Sequence, residues 1–155
     1  MRQLYPLYVA MAAMAITQIL KPILYYLIRK EWKLELLFDS GGLPSSHSSM
    51  VSSLVLSVGL LEDFSSTIFA VTVVFAFITM YDAANVRYYA GQNIQLTRKL
   101  IDDLKSSVIY KQDLDDPIYD VRIKEILGHK WFEVFTGAIL GLLIAGLSYF
   151  VFKYW

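Results

Sequence analysis

From Leu4 to Ile28 the chain is apolar almost throughout, interrupted by Gln18 and Lys21. A stretch of that length crosses a hydrocarbon core roughly 30 Å thick. Inside such a core the backbone must satisfy its own hydrogen bonds, which steers a chain with several such stretches towards a bundle of helices. A single Arg2 precedes the stretch, and the stretch is long for the apolar region of a signal peptide, so it reads as a retained span. Arg29 to Leu43 is a charged connector ending in the turn signal Gly41-Gly42.

Further spans follow. Met50 to Leu61 is apolar but short; counted from Pro44, which suits a first helical position, the helix reaches about eighteen residues. Glu62-Asp63 makes an acidic loop. Phe64 to Met80 is a third span, and its helical pattern continues through Tyr81–Tyr89. Beyond it Ile94, Ile101, Leu104 and Val108 recur at helical spacing, which predicts an amphipathic helix outside the bilayer. Asp113–Pro117 breaks the pattern, and Ile118 to Leu127 reads as a short helix ended by Gly128. Trp131 to Phe152 is the last span, with Trp155 as an interfacial anchor.

Composition agrees with this pattern. Of 155 residues, 56% are hydrophobic and 15% aromatic, and eleven are Tyr, a side chain suited to membrane–water interfaces. Mean hydropathy is +0.47, further apolar than most soluble domains of this size. Net charge is zero, which argues against a nucleic-acid partner, and the lack of Cys excludes disulfides and thiolate metal sites. The expected fold is all-α: a polytopic helical membrane protein of about four transmembrane helices plus cytoplasmic amphipathic helices. Residues 1–155 are expected to form a single membrane-embedded domain.

Four spans put His47 and His129 on the same side of the membrane. Eleven of the 14 Lys and Arg, from Arg29 to Lys130, fall on that side; only Arg2 and Lys153 fall on the other. By the positive-inside rule the His-bearing face is cytoplasmic, in the plasma membrane, and both termini lie outside.

These two are the chain's only histidines, and each opens a predicted span. Histidine is the side chain best suited to proton transfer or nucleophilic attack near neutral pH. His47 lies in Gly41-Gly42-Leu43-Pro44-Ser45-Ser46-His47-Ser48. Glycines and small hydroxyl residues before a helix N-terminus, with its unpaired N–H groups and dipole, form a phosphate cradle or an ordinary Ser-rich cap. His129 and Glu133 are four apart on one helix face; a carboxylate on one ring nitrogen fixes the tautomer and frees the other, though a simple interfacial pair has the same spacing. Lys21 lies within the first span, where a charge marks function unless it snorkels to the headgroups. Asp82, Asn85 and Arg87 form a polar cluster at the end of the third span. Asp82 and Arg87 are five apart, a separation that does not assure an ion pair, so Arg87 is free to clamp phosphate oxygens. Two histidines and scattered carboxylates make no metal ligand set. Gly137-x-x-x-Gly141 allows close helix packing and leaves a homo-oligomer open.

Pro44-Ser45-Ser46-His47 resembles the Pro-Ser-Gly-His motif of the type 2 phosphatidic acid phosphatase superfamily, which includes the vanadium haloperoxidases. Gly128-His129 through Glu133 and Gly137 resembles its third motif, where a nucleophilic His precedes an Asp by four. Closer still is a divergent branch described as acid phosphatase/vanadium-dependent haloperoxidase-related. It combines Gly-Gly-Met-Pro-Ser-Ser-His-Ser, Tyr-Asp-Ala-x-Gly-Val-Arg-Arg and Leu-Leu-Gly-His, matched in order by Gly41–Ser48, Tyr81–Tyr88 and Ile126–His129. The resemblance runs from Lys21 to Gly141. It departs from the parent superfamily in the first motif, where Arg29 follows Lys21 one position late and without Pro, which leaves Arg29 out of the expected clamp. In the third motif Ile123 replaces an Arg and is flanked by Arg122 and Lys124, Ser46 replaces Gly, and Glu133 replaces Asp.

The resemblance implies a phosphoric monoester hydrolase acting on a membrane lipid phosphate, without cofactor or metal. Phosphate would sit at Ser45–Ser46, clamped by cations from Lys21, Arg87, Lys124 and Arg122, with Asp82 and Asn85 in support. His129, oriented by Glu133, would form a phosphohistidine, and His47 would protonate the leaving alkoxide. A cytoplasmic site favours phosphatidylglycerophosphate or phosphatidic acid over an undecaprenyl diphosphate-type substrate. Two other readings compete: a vanadate-dependent halide oxidase, and a non-catalytic lipid-headgroup-binding membrane protein.

Overall fold

The computed structural model describes residues 2–39, 41–106 and 128–153. Among them the long elements are five α-helices: α1 (Tyr5–Arg29), α2 (Ser46–Glu62), α3 (Thr67–Tyr81), α4 (Arg87–Ser106) and α5 (Trp131–Lys153). A π-helical turn, Asp82–Val86, joins α3 to α4, so Thr67–Ser106 is one continuous 40-residue helix. The expected short helix over Ile118–Leu127 lies outside the described residues.

The distribution of side chains is that of a protein solvated by lipid. Ala13, Ser49, Ser53, Ser57 and Ala145 are fully buried, whereas Phe77, Leu147 and Phe150 are each more than 60% exposed. In water that pattern would be unfavourable, because large exposed apolar patches drive association. In hydrocarbon there is no gain from burying Leu or Phe, and small residues face inward because they let backbones approach. The all-α membrane architecture expected from the sequence is therefore present.

Among the described residues three helices are long and apolar enough to cross a bilayer: α1, the α3–α4 continuum, and Trp131–Val151 within α5. The expected count was about four. The difference is α2, which starts at Ser46 rather than Pro44 and has 17 residues. Ser45 is its N-cap, with extended backbone and a hydroxyl that accepts the Ser48 N–H, so Pro44 lies before the helix. α2 packs against α1, α3 and α5 and so occupies the centre of the bundle.

Serines make that central position workable. Ser45, Ser46, Ser48, Ser49, Ser52, Ser53 and Ser57 are all buried. Their hydroxyls bond to nearby carbonyls and across helices: Ser52 Oγ donates to the Ala138 carbonyl at 2.9 Å, and Thr17 Oγ1 to Ser49 Oγ at 2.8 Å. Gly137 and Gly141 press directly on this face. A Cβ at either would collide with the carbonyl of Ser45 or Ser49 respectively. The Gly-x-x-x-Gly pair thus packs α5 against α2 within one chain. At the opposite end of the bundle Tyr5 Oη and Ser148 Oγ, 2.8 Å apart, tie α1 to α5.

Candidate active site

The end of α1, the start of α2, the end of α3 and the start of α5 meet at one end of the bundle, and both histidines lie there. His129 is 2% exposed and its Nδ1 is 2.9 Å from Glu133 Oε2. Glu133 is the third residue of α5, and the same carboxylate oxygen accepts the Lys130 N–H at 3.3 Å. One group therefore caps the helix and orients the ring. The other ring nitrogen, Nε2, is buried and has no hydrogen-bond partner among the described residues. Buried polar atoms are seldom left in that state, so an unpartnered imidazole nitrogen marks a place where a ligand atom belongs.

Main-chain packing fixes the His129 loop. Its N–H donates to the Ala83 carbonyl at 2.9 Å, inside the π-helical turn. Gly128 precedes it at φ +82°, and a Cβ there would collide with the Arg87–Tyr88 backbone, so only glycine lets this loop lie on the helix. The Ser45 N–H donates to the Glu133 carbonyl at 3.0 Å, joining the cap of α2 to the first turn of α5. The two motifs, more than eighty residues apart in sequence, are held together by their own main chains.

At the start of α2, Ser45 Oγ is occupied with capping; it accepts both the N–H and the hydroxyl of Ser48. The Ser49 N–H goes to the Ser45 carbonyl. The N–H groups of Ser46 and His47 remain at the open helix end, where an anion is favoured. His47 is half-buried, and the charges of Arg87, His129, Lys21 and Asp82 all act on it, which places these five groups in one electrostatic neighbourhood.

Lys21 is 1% exposed, so it does not snorkel. Its Nζ donates to the carbonyls of Asp39 at 3.2 Å and Gly41 at 3.1 Å. One turn earlier Gln18 Nε2 donates to the carbonyls of Leu36, Leu37 and Asp39. Together they bind the loop that leads into Gly41–Ser48. Sequence reading singled out Lys21 but not Gln18, although two polar residues three apart on an apolar span were signal enough. A cavity of about 410 Å³ opens here, lined among others by Lys21, Tyr25, Arg29, Lys33, Asp39 and Glu133. Arg29, which its late position had left out of the expected clamp, lines that cavity with Lys21.

Asp82 and Arg87 form an ion pair at 2.6 Å, which their separation had not assured. Asn85 turns its amide back to the Tyr81 carbonyl, along its own helix. Arg122 and Lys124, the other expected clamp cations, lie outside the described residues. Among the described residues no group of three metal-ligating side chains occurs.

The fold and this meeting point define a polytopic helical membrane protein whose two histidine motifs converge at the starts of two helices. The chain belongs to the Divergent PAP2 family, which it matches over residues 3–144. It is similar to the "Uncharacterized membrane protein YuiD" of Bacillus subtilis (strain 168), with 35% identity over 150 residues, 94% of this chain and 95% of that protein. No solved structure matches it. Family membership suggests PAP2-like phosphatase activity.

Proposed function

We propose that this protein hydrolyses a lipid phosphomonoester through a phosphohistidine on His129. The observation that carries the reading is the state of that ring: Nδ1 held by Glu133, Nε2 buried and unpartnered, beside the open N-terminus of α2. Glu133 keeps the Nδ1 proton in place, so the Nε2 lone pair attacks phosphorus and the ester oxygen leaves on the opposite side. His47 gives that oxygen its proton, then accepts one from the water that releases phosphate. The N–H groups of Ser46 and His47, with Arg87 and Lys21, carry the charge of the phosphoryl oxygens. Asp82 holds Arg87 in place.

The surroundings support a lipid substrate: a site at the end of an apolar bundle meets phosphates presented at a membrane surface. We assign the site to the cytoplasmic face of the plasma membrane from the excess of Lys and Arg at that end. Phosphatidylglycerophosphate and phosphatidic acid are the substrates to test first.

The experiment is phosphate release by purified protein from a panel of lipid phosphates in excess chelator, beside His129→Ala and His47→Ala. We expect chelator-resistant release, abolished by both substitutions, and a phosphorylated intermediate trapped on His129. No release from any lipid, with all three proteins folded, would refute the enzyme reading.

A further inference from the structure

We propose that the cavity between the last turns of α1 and the connector that follows it is a second anion site, which holds a phosphate group without reacting with it. Binding there is separate from turnover at His129. Lys30, left-handed at φ 61°, reverses the chain after α1, and Trp32 stacks on Tyr26 with ring centroids 4.5 Å apart. The connector then runs back beside α1, held by Gln18 at the carbonyls of Leu36, Leu37 and Asp39. The cavity between the two segments encloses about 410 Å³, within the range of small-ligand pockets, about 300–1,000 Å³. Lys21, Leu24, Tyr25 and Ile28, at helical spacing on one face of α1, form one wall.

Charge identifies the ligand. Arg29 and Lys33 line the cavity with Lys21, against the carboxylates of Asp39 and Glu133. Glu133 is engaged by His129, and Lys21 is bonded to the Asp39 and Gly41 carbonyls. Among the described residues Arg29 and Lys33 form no ion pair, and Glu31 and Glu35, the connector's other carboxylates, do not line the cavity. Two unpaired cations at one cavity favour an anion, and the planar fork of Arg suits the oxygens of a phosphate. Position separates this anion from the phosphate at His129. Arg29 lies eight residues beyond Lys21, roughly 12 Å along the helix. Among the described residues neither histidine lines the cavity, nor do Ser45, Ser46 or Arg87. Trp32, Leu34 and Phe38 on the connector are each more than 60% exposed, a composition suited to the depth of lipid headgroups. A lipid headgroup and free phosphate share the chemistry that Arg29 and Lys33 recognise.

The test reads binding and not turnover, on full-length protein in nanodiscs of neutral phosphatidylcholine. Phosphatidylglycerol, a phosphodiester that a monoester hydrolase leaves intact, is added in graded amounts and its retention is measured by native mass spectrometry. Inorganic phosphate is titrated separately by calorimetry. We expect saturable binding of at least one of these two probes. The double variant Arg29→Gln/Lys33→Gln should weaken it about tenfold or more, the scale of one hydrogen bond to a charged group. Neither side chain has an ion pair to lose, so the thermal midpoint of that variant should stay unchanged. Lys30→Gln removes a neighbouring charge outside the cavity, and Arg87→Gln removes one beside His47; both should leave binding nearly unchanged. Saturation by phosphatidylglycerol that millimolar phosphate does not displace assigns the site to a lipid headgroup. Saturation by phosphate alone assigns it to the free anion, and displacement of one probe by the other assigns it to both. The proposal is overturned by three results: neither probe saturates, Lys30→Gln weakens binding as much as the double variant, or Arg87→Gln abolishes binding that the double variant retains.

Discussion

Arg87 Nε donates to Asp82 Oδ2 at 2.6 Å across a separation of five residues. In an α-helix, five residues place side chains roughly 140° apart around the axis. The pair forms because Asp82–Val86 is π-helical, with the Arg87 N–H bonded to the Asp82 carbonyl. That wider turn brings residues five apart onto one face, and π-turns of this kind frequently mark functional sites. It also carries the Ala83 carbonyl that receives His129. The segment Tyr81–Tyr88 is thus the part of the chain that docks the histidine loop.

The ion pair is 46% exposed on the Arg side and 35% on the Asp side, so its worth to stability is small, about 0–1 kcal/mol. Its effect should lie in activity. Arg87→Ala is expected to leave the thermal midpoint in detergent nearly unchanged and to lower kcat/KM for the lipid phosphate about 100-fold, the scale of one transition-state donor. Arg87→Lys should recover only part of this, because an ammonium lacks the planar fork.

Gly128→Ala tests the docking of His129. The added Cβ would strike the Arg87–Tyr88 backbone, and φ +82° disfavours any L side chain. The His129 N–H to Ala83 bond should be lost and kcat should fall with little change in KM. The His129 Nδ1 proton, observed by NMR, should lose its hydrogen-bonded shift.

Glu133→Gln separates the two duties of this carboxylate. Glutamine can still cap Lys130, so stability should change by less than about 1 kcal/mol. It supplies no charge for the imidazolium and can lock the wrong tautomer, so phosphate release should fall at least about 100-fold. Thermal unfolding and initial rates on the same preparation distinguish the two effects.

The helix contact makes a paired prediction. Gly137→Ala places a methyl against the Ser45 carbonyl and should cost about 1–3 kcal/mol, seen as a lower thermal midpoint. Gly146→Ala meets nothing within 4 Å and should be neutral or stabilising by about 0.5–1 kcal/mol.

Lys21→Met keeps the length of the side chain and removes both bonds to the Asp39 and Gly41 carbonyls. Hydrogen bonds to a charged group contribute about 1.5–3 kcal/mol each. Amide exchange in Gly41–Leu43 should therefore speed up about tenfold or more, with phosphate release reduced in parallel. Unchanged exchange would show that Gln18 alone holds the loop.

Much of this was decided by the chain's composition and pattern. Apolar stretches the thickness of a bilayer leave the backbone no choice but helices, so α1, α3 and α5 were legible, as was the placing of His47 and His129 at one end. The i, i+4 spacing of His129 and Glu133 is local geometry, and the pair forms as read. What the sequence did not reveal depends on contacts between distant segments. The start of α2 at Ser46 follows from a cap, not from Pro44, and its central place follows from serines whose hydroxyls find partners on α1 and α5. The Asp82–Arg87 pair depends on a local change of helical register, and the docking of Gly128-His129 on that turn depends on a steric fit that no periodicity encodes. Hydrophobic period reports which residues avoid water, and in a membrane most of them face lipid. Which small residues meet, and which carbonyl receives which N–H, is settled only when the helices pack.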